Sequence, residues 1–486
     1  MTHRQRLTLL AAILGSGVAM LDGTIVNVAL PAIERDLGGG LTAQQWVVNA
    51  YLLSLGSLIL IGGSLGDIYG ERRVFTVGVA SFGVFSVACA LAPTIGVLIA
   101  ARTLQGAAAA LLTPSSLAII IGAFSTQERG PAIGRWTAWG GIAAVIGPLA
   151  GGVIVDQTSW RWVFALNVPL VVATIVFVLA AVPRTPTVVG RRVDVLGAVL
   201  CAAGLGGIVF ALIEQPRLGW SSPAIVVSLV GGALAFAGFL AYERHAAQPM
   251  LRLSLFARRN FSVGNIETLA MYAGLAILFF YLVIFLQQVA GYSALEAGLA
   301  TLPTTLIMFA LSSRFGALAD RYGPRLFMGA GPLIAAAGIL LLLRTGLNTS
   351  YVADVLPAVL VFSLGLTMTV APLTAAVLAD ADESDAGIAS AVNNAVARVA
   401  GLVGVPLAGV VAASVLVGDT FTADGASVDA FHRVVVICAV LVAAGGAVGA
   451  LGIANPRRVV EARRCAGGQL VGVPEPAVET SRAEMA

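Results

Sequence analysis

Gly63-Ser64-Leu65-Gly66-Asp67-Ile68-Tyr69-Gly70 recurs as Gly316-Ala317-Leu318-Ala319-Asp320-Arg321-Tyr322-Gly323. Each copy ends an apolar stretch of about twenty residues, the length that crosses a bilayer of roughly 30 Å as a helix. Another apolar stretch follows each copy. Both copies are therefore short loops between spans, on the same side of the membrane. A repeat that keeps its topology marks a transporter built from two halves around a central path.

Composition supports the same class. Of the 486 residues, 58% are hydrophobic and only 11% charged, against about 25% charged in an ordinary soluble domain. That much apolar surface has no place in one soluble core, so lipid must be the solvent for most of the chain. A soluble enzyme, a disordered chain and a nucleic-acid-binding domain are excluded. About fourteen apolar stretches recur, the first near 7–31 and the last near 432–454. Barrel strands would be about ten residues long and alternate in polarity, so helices are expected. The opening run from Leu7 imitates a secretion signal but is too long and precedes no cleavage site, so it reads as the first span. The expected fold is all-α and membrane-integral: two six-helix bundles, residues 1–182 and 261–454. Two inserted spans lie in 183–260, and a polar tail, 455–486, is expected to be disordered.

All the basic side chains other than histidine are arginine; there is no lysine. Arg4, Arg6, Arg72, Arg73, Arg129, Arg191, Arg192, Arg321, Arg325 and the tail arginines fall on one side of the expected topology. The positive-inside rule makes that side cytoplasmic, with both termini on it. A lysine-free chain rich in Ala, Gly and Val fits a GC-rich bacterial genome, hence a bacterial inner or plasma membrane.

Charges inside the spans are the candidate working groups, because a charge in hydrocarbon is expensive and faces the protein interior or a water-filled cavity. Asp22 lies roughly 22 Å along the first span, and Arg102 roughly 10 Å below the opposite face in the fourth. The two depths agree, so the pair is expected to meet across the path and respond to protons. Glu267 in the ninth span could carry a proton or bind a cation, or face the cytoplasmic vestibule. Arg398, beside Asn393 and Asn394, lies near mid-depth in the thirteenth span, on the substrate path or in a helix-to-helix contact. Arg314 near a helix end is expected to snorkel.

The repeated loop reads mechanically. Gly63 and Gly316 would allow close helix approach, and Gly70 and Gly323 the tight turn. Asp67 is expected near Asp385–Gly387, and Asp320 near Gly130–Ile133, as locks that break when the halves rock. In the fifth span Gly147 and Gly151 lie one turn apart with Pro148 and Gly152 beside them, a small-residue seam with a proline kink. Gly62–Gly66 imitates a nucleophile elbow but lacks the strand–turn–helix setting. No phosphate or dinucleotide loop is present, and His3, His245 and His432 lack metal spacing. No enzyme activity, cofactor, metal or nucleic-acid partner is expected.

Taken together these residues resemble the 14-span drug:proton antiporters of the major facilitator superfamily, over nearly the whole chain. Leu21-Asp22-Gly23-Thr24 through Asn27 to Pro31 is similar to that family's first-helix signature. Gly63, Leu65, Asp67, Gly70, Arg72 and Arg73 match the loop between the second and third helices. Arg102, Gln105 and Gly106 match the fourth-helix motif, whose arginine the resemblance links to proton coupling. Gly147, Pro148, Gly151 and Gly152 resemble the fifth-helix antiporter motif, associated with exporters. Trp160 to Pro169 and Gly291 to Gly298 are also family-like. Ile68 and Glu71 depart from the loop pattern and weaken its charge lock; Arg321 keeps the usual residue in the second copy. The resemblance implies an exporter that moves hydrophobic or amphipathic small molecules outward against protons by alternating access; the sequence is silent on oligomeric state, and a monomer is the default expectation. Export of an endogenous metabolite, uptake on the same fold, and a transport-inactive receptor or scaffold are the alternatives.

Overall fold

The computed structural model describes residues 1–183, 193–246, 249–379 and 386–455. Arg191, Arg192 and the tail from residue 456, with its expected disorder, lie outside them, as does Asp385 of the expected Asp67 contact. The first helices are α1 (His3–Leu37), α2 (Gly40–Tyr69), α3 (Glu71–Ala90), α4 (Ile95–Ala123) and α5 (Thr126–Gln157), then the short α6 (Arg161–Ala165) and α7 (Asn167–Ala181). Two follow in the insert, α8 (Val195–Leu218) and α9 (Pro223–Glu243). The last six are α10 (Arg259–Ile284), α11 (Ala294–Tyr322), α12 (Pro324–Leu340), α13 (Leu356–Ala379), α14 (Ala386–Ala413) and α15 (Gly425–Gly452).

In hydrocarbon every backbone group must be satisfied within its own segment, which is why these apolar runs become helices. Among the described residues thirteen helices are long and apolar enough to cross a membrane, or fourteen with the bent α2 as one span. The α2 bend is 51°, between Gly40–Ile59 and Ile61–Tyr69. Helix α5 stays one helix through Pro131 and Pro148. Side chains cap several starts: Thr94 accepts from the Val97 amide, and Ser293 and Glu296 form a reciprocal box at α11.

The repeated loop is a helix-to-helix turn with no linker. Gly70 and Gly323 have φ of 87° and 91°, so each ends one helix and starts the next. The first glycines of the motif play a smaller part than their spacing suggests. A carbon added at Gly63 would meet Pro114 Cβ at 3.7 Å, and one at Gly316 would meet Ala371 Cβ at 3.8 Å, both ordinary contacts. The tight crossing belongs to Gly62 and Gly106 instead, where an added carbon would overlap the backbone of Ala110 and of Tyr51.

Helices α1–α7 pack mainly on one another, with α2 and α3 against α4 and α1 against α5 and α7. The set α10–α15 does the same through α12–α13, α12–α15, α10–α14 and α11–α13. The two sets meet along two seams, α5 with α11 and α2 with α14. One apolar core crosses between them, joining Ile25 and Leu30 of α1 to Phe280, Ile284 and Phe285 in and after α10. The insert lies over the second seam: α8 packs on α9 and touches both α2 and α14. Leu205, Val209 and Ile213 of α8 share a small core with Leu402 of α14, with Trp46 and Leu53 of α2 packed against it.

The glycine geometry gives a direct test. Gly62→Ala should cost about 1–3 kcal/mol, since it overpacks a backbone contact. Gly63→Ala should stay within about 0.5 kcal/mol. Thermal unfolding of the purified variants in detergent reads both.

Candidate functional site

Asp22 is fully buried, and it is the hub of a polar cluster inside the first helix set. Arg102 of α4, 1% exposed, donates through Nη1 to Asp22 Oδ2. Gln105 Nε2 and Asn167 Nδ2 both donate to the other oxygen, Oδ1, at 3.0 and 2.9 Å. Further bonds tie these groups to their neighbours, although Asn167 Oδ1 has no partner. Arg102 Nη1 donates to Gln105 Oε1 at 2.7 Å, and Gln105 Nε2 donates to Ser86 Oγ at 2.8 Å. Arg102 Nε donates to the Val47 carbonyl at 3.1 Å. The guanidinium lies 4.2 Å from the centroid of the Tyr51 ring and 5.8 Å from that of Phe164. The pair therefore does not face each other across the path. It is sealed within α1, α2, α3, α4 and α7, because equal depth says nothing about which way a helix face points. Ser86 was invisible in the sequence, as one serine in an apolar helix; Asn167 stood in a family-like stretch but carried no charge to mark it.

The other expected residues separate. Glu267 is fully buried, and its carboxylate lies against Gly449 of α15, near the Met328 carbonyl of α12. Neither oxygen has a hydrogen-bond partner. It is thus inside the second helix set and not in the vestibule. Asn393 donates to Asn265 Oδ1 at 3.2 Å and to Thr268 Oγ1 at 2.8 Å, binding α14 to α10. Asn394 is exposed. Arg398 stands beside Gly56 of α2, and its Nε is inaccessible and unpartnered. Arg314 is exposed. Of the loop residues, Arg72 Nη2 donates to the Leu179 carbonyl at 3.2 Å, Arg73 is exposed, and Arg321 lies 5.4 Å from the Tyr322 ring centroid. Among the described residues no hydrogen bond joins Asp320 to the Gly130–Ile133 stretch. Asp320 is exposed, and a carbon added at Gly130 would have nothing within 4 Å.

The reason lies in how the halves touch. Among the described residues, the hydrogen bonds between α1–α7 and the set from α10 to α15 all lie at the end opposite the N-terminus and the end of α15. Two of these contacts are reciprocal. Asp156, at the end of α5, accepts from the Ala294 and Leu295 amides at the start of α11, at 3.0 and 2.8 Å. Asp419, after α14, accepts from Leu41 N through its carbonyl at 2.5 Å and from Thr42 N through Oδ2 at 3.0 Å. Each half thus caps a helix of the other, placing a carboxylate at the positive end of a helix dipole. Three consecutive glycines with positive φ, Gly38 to Gly40, let the chain bring α2 up to Asp419. Gln45 Nε2 donates to the Tyr281 hydroxyl at 2.8 Å, and Gln287 Nε2 to the Val28 carbonyl at 3.0 Å.

The fifth-helix motif divides between two neighbours. Gly151 faces α1, where an added carbon would lie 3.2 Å from the Ile25 carbonyl, and Gly147 faces the same helix at Leu21 and Thr24. Gly152 faces α11, where an added carbon would lie 2.8 Å from Leu295 N, and Gly298 faces Pro148 O from the other side at 2.6 Å. The seam is closed backbone to backbone.

Two predictions follow from this geometry. Arg102→Ala leaves Asp22 without its buried counter-charge and should cost about 3–5 kcal/mol in unfolding measurements, whereas removing an exposed pair costs less than about 1 kcal/mol. The second concerns Asp419. Burial raises its carboxyl pKa above the usual range, opposed by the hydrogen bonds from Thr42 and assisted by Glu214. A group with a raised pKa in the closed state takes up a proton on closing. Closure is then favoured below the ordinary carboxylate pKa, and that advantage is lost as pH rises through the raised value. Asp419→Asn should remove this pH dependence, read as spin-label distances between positions 153 and 299.

Comparison with known proteins agrees with this architecture. The family model described as Major Facilitator Superfamily matches residues 12–405. The chain is 35% identical to the probable actinorhodin transporter of Streptomyces coelicolor, covering 87% of this chain and 76% of that one. It is 36% identical to a puromycin resistance protein of Streptomyces alboniger, covering 85% and 83%. In fold it is similar to a bacterial homologue of the human lysosomal transporter Spinster, with TM-score 0.65 and 15% identity over 93% of this chain and 97% of that one. The Escherichia coli xylose transporter gives TM-score 0.60 and 13% identity, over 92% and 96%. With an all-helical body, two half-sets closed at one end and a family model spanning most of its length, the chain belongs to the major facilitator superfamily.

Proposed function

We propose that this protein exports hydrophobic or amphipathic small molecules from a bacterial cell, driven by protons moving inward, by alternating access. One observation carries the reading: among the described residues the hydrogen bonds found between the halves gather at one end, while a buried carboxylate–guanidinium pair sits in contact with a seam helix. Two halves clamped at one end have a natural second state in which the clamped end opens. The arginine distribution supports a cytoplasmic position for both termini, which makes the clamped end the outer one. The rocking units are then 1–182 and 261–454, with 183–260 as an insert, and the working unit is a monomer. The direction of transport draws on the names of its relatives, which include a tetracenomycin C resistance and export protein from Streptomyces glaucescens, 33% identical.

Protonation of Asp22 would remove the negative charge that holds Arg102. Arg102 is bonded to the Val47 carbonyl and lies on the Tyr51 ring, so its release acts on α2. That helix carries the Asp419 clamp at Leu41 and Thr42 and the Gln45–Tyr281 bond. One proton can therefore bias the seam through a single helix. Glu267 is a second proton carrier in this reading, since an ionised carboxylate there has no partner to offset its desolvation. The Asp67 and Asp320 loops would act at the opposite end.

Flux in proteoliposomes with an imposed pH gradient and a panel of lipophilic dyes tests the proposal. The gradient should drive dye transport, and Asp22→Asn should lower the gradient-driven rate at least tenfold while leaving downhill exchange. Wild-type rates for both Asp22→Asn and Arg102→Ala would overturn the coupling assignment.

A further inference from the structure

We infer that Asp194 and Glu243 form a proton-binding site, in which one proton shared between the two carboxyl groups fastens the start of α8 to the end of α9. The inference goes beyond the transport reading and uses neither Asp22 nor Glu267. Asp194 caps α8, and its Oδ1 accepts from the Gly197 amide at 2.8 Å. Glu243 is the last residue of α9 and only 3% exposed, and its Oε2 accepts from the Leu251 amide at 3.0 Å. Each acid thus commits one oxygen to the backbone. The other two, Asp194 Oδ2 and Glu243 Oε1, are inaccessible to solvent and accept no hydrogen bond.

Those two oxygens meet at Gly197. A carbon added there would lie 2.6 Å from Asp194 Oδ2 and 2.8 Å from Glu243 Oε1, so both crowd one point beside the first turn of α8. Two ionised carboxylates held this close without water repel each other, and a buried acceptor without a donor is costly. A single proton removes both costs, because one group then donates to the other, as in other carboxyl pairs that share a proton.

No described neighbour supplies a positive charge instead. Neither acid has an ion pair among the described residues. Tyr242 lies within electrostatic reach of Asp194, and Cys201 within reach of Glu243, but neither is a cation. Arg244, His245 and Arg252 are exposed, and the His245 ring lies against the Ala241 carbonyl. On the helices packed against α8, Arg398 of α14 stands beside Gly56 of α2. At the far end of α8, Glu214 takes Arg217 and the Trp46 indole. Arg191 and Arg192 lie outside the described residues, so the experiment includes them.

The shared proton has a structural consequence. Leu251, whose amide Glu243 holds, lines a cavity of about 460 Å³ together with Cys201 and Leu205 of α8 and Phe236 and Leu240 of α9. Neither acid lines it. The pair instead ties together three pieces of chain that wall it: α8, α9 and the segment leading to α10. The fastened form holds a proton that the separated carboxylates do not. It is therefore favoured as pH falls and lost as pH rises.

Spin labels at the exposed positions 196 and 241 of the purified full chain, with its native cysteines replaced by serine, test this. The wild-type pairing should give one short distance at pH 6 and a longer population at pH 9. The ratio of short to long should fall about tenfold per pH unit once the proton leaves. Asp194→Asn and Glu243→Gln each place an amide donor where the proton sat, and each should keep the short distance at both pH values. Replacing Arg191 and Arg192 by glutamine should leave the wild-type response intact. Four results would each overturn the proposal: a wild-type distance that ignores pH, a response that persists in both amide variants, a hairpin that closes only with an added divalent cation, and loss of the response with the two arginines. Should Glu243→Gln fail to fold, Asp194→Asn reads the same bond from the other side. The measurement needs neither substrate nor gradient, so its failure leaves the transport reading standing, and failed transport leaves the proton site standing.

Discussion

A charge placed in hydrocarbon must be paired, and this structure is organised around one such pairing. Asp22 and Arg102 sit where no solvent reaches them, and the cost of desolvating them is met by five further polar groups: Gln105, Asn167, Ser86, the Val47 carbonyl and the Tyr51 ring. With the pair itself, these groups come from five helices, α1, α2, α3, α4 and α7. The pairing therefore constrains how the first helix set assembles. Gly106, one residue past Gln105, is part of the same constraint, because only a residue without a side chain lets α4 approach the Tyr51 backbone closely enough.

The same need for partners operates at the closed end, where it binds the halves. A helix start leaves amides without acceptors. At α2 and α11 those amides are answered by aspartates from the opposite half, Asp419 and Asp156. The amides involved, at 41 and 42 and at 294 and 295, are 253 residues apart, the same offset as the loop repeat. The clamp is therefore a two-fold device, made once from each half. The Asp156 and Asp419 bonds are exposed or part-buried, unlike the fully buried bonds around Asp22. An interface held by such caps can open without exposing the Asp22–Arg102 pair.

Much of this was legible in the sequence and some was not, for physical reasons. The repeated loop showed the two halves, since a turn with positive φ at Gly70 and Gly323 needs glycine there and leaves a mark in both copies. Span lengths gave the helices. Depth along a helix put Asp22 level with Arg102, but depth carries no azimuth, so the sealed position inside one half and the inward turn of Glu267 were not available from it. Asp156 and Asp419 were silent because a loop aspartate reads as solvated whatever it touches. They are 263 residues apart, against 253 for the amides they cap, so even the repeat does not align them. The signal that finds them is the pair of equivalent amides.

The insert also acquires a reason from packing. In a two-half transporter the α2–α14 seam would face lipid directly, and a bent helix such as α2 exposes its own irregularity there. Here α8 covers it, with Leu205, Val209 and Ile213 buried and the Glu214–Trp46 hydrogen bond of 2.9 Å tying α8 to α2 near the closed end. Yet α8 touches both halves, so it cannot follow one half in a rocking motion without sliding on the other. Its contacts suit sliding: apart from that one bond to α2, they are hydrocarbon against hydrocarbon among the described residues. The cavity beside them is the space such a sliding joint leaves. A seam covered this way stays sealed from lipid while α2, coupled through Val47 and Tyr51 to Arg102, changes its angle underneath.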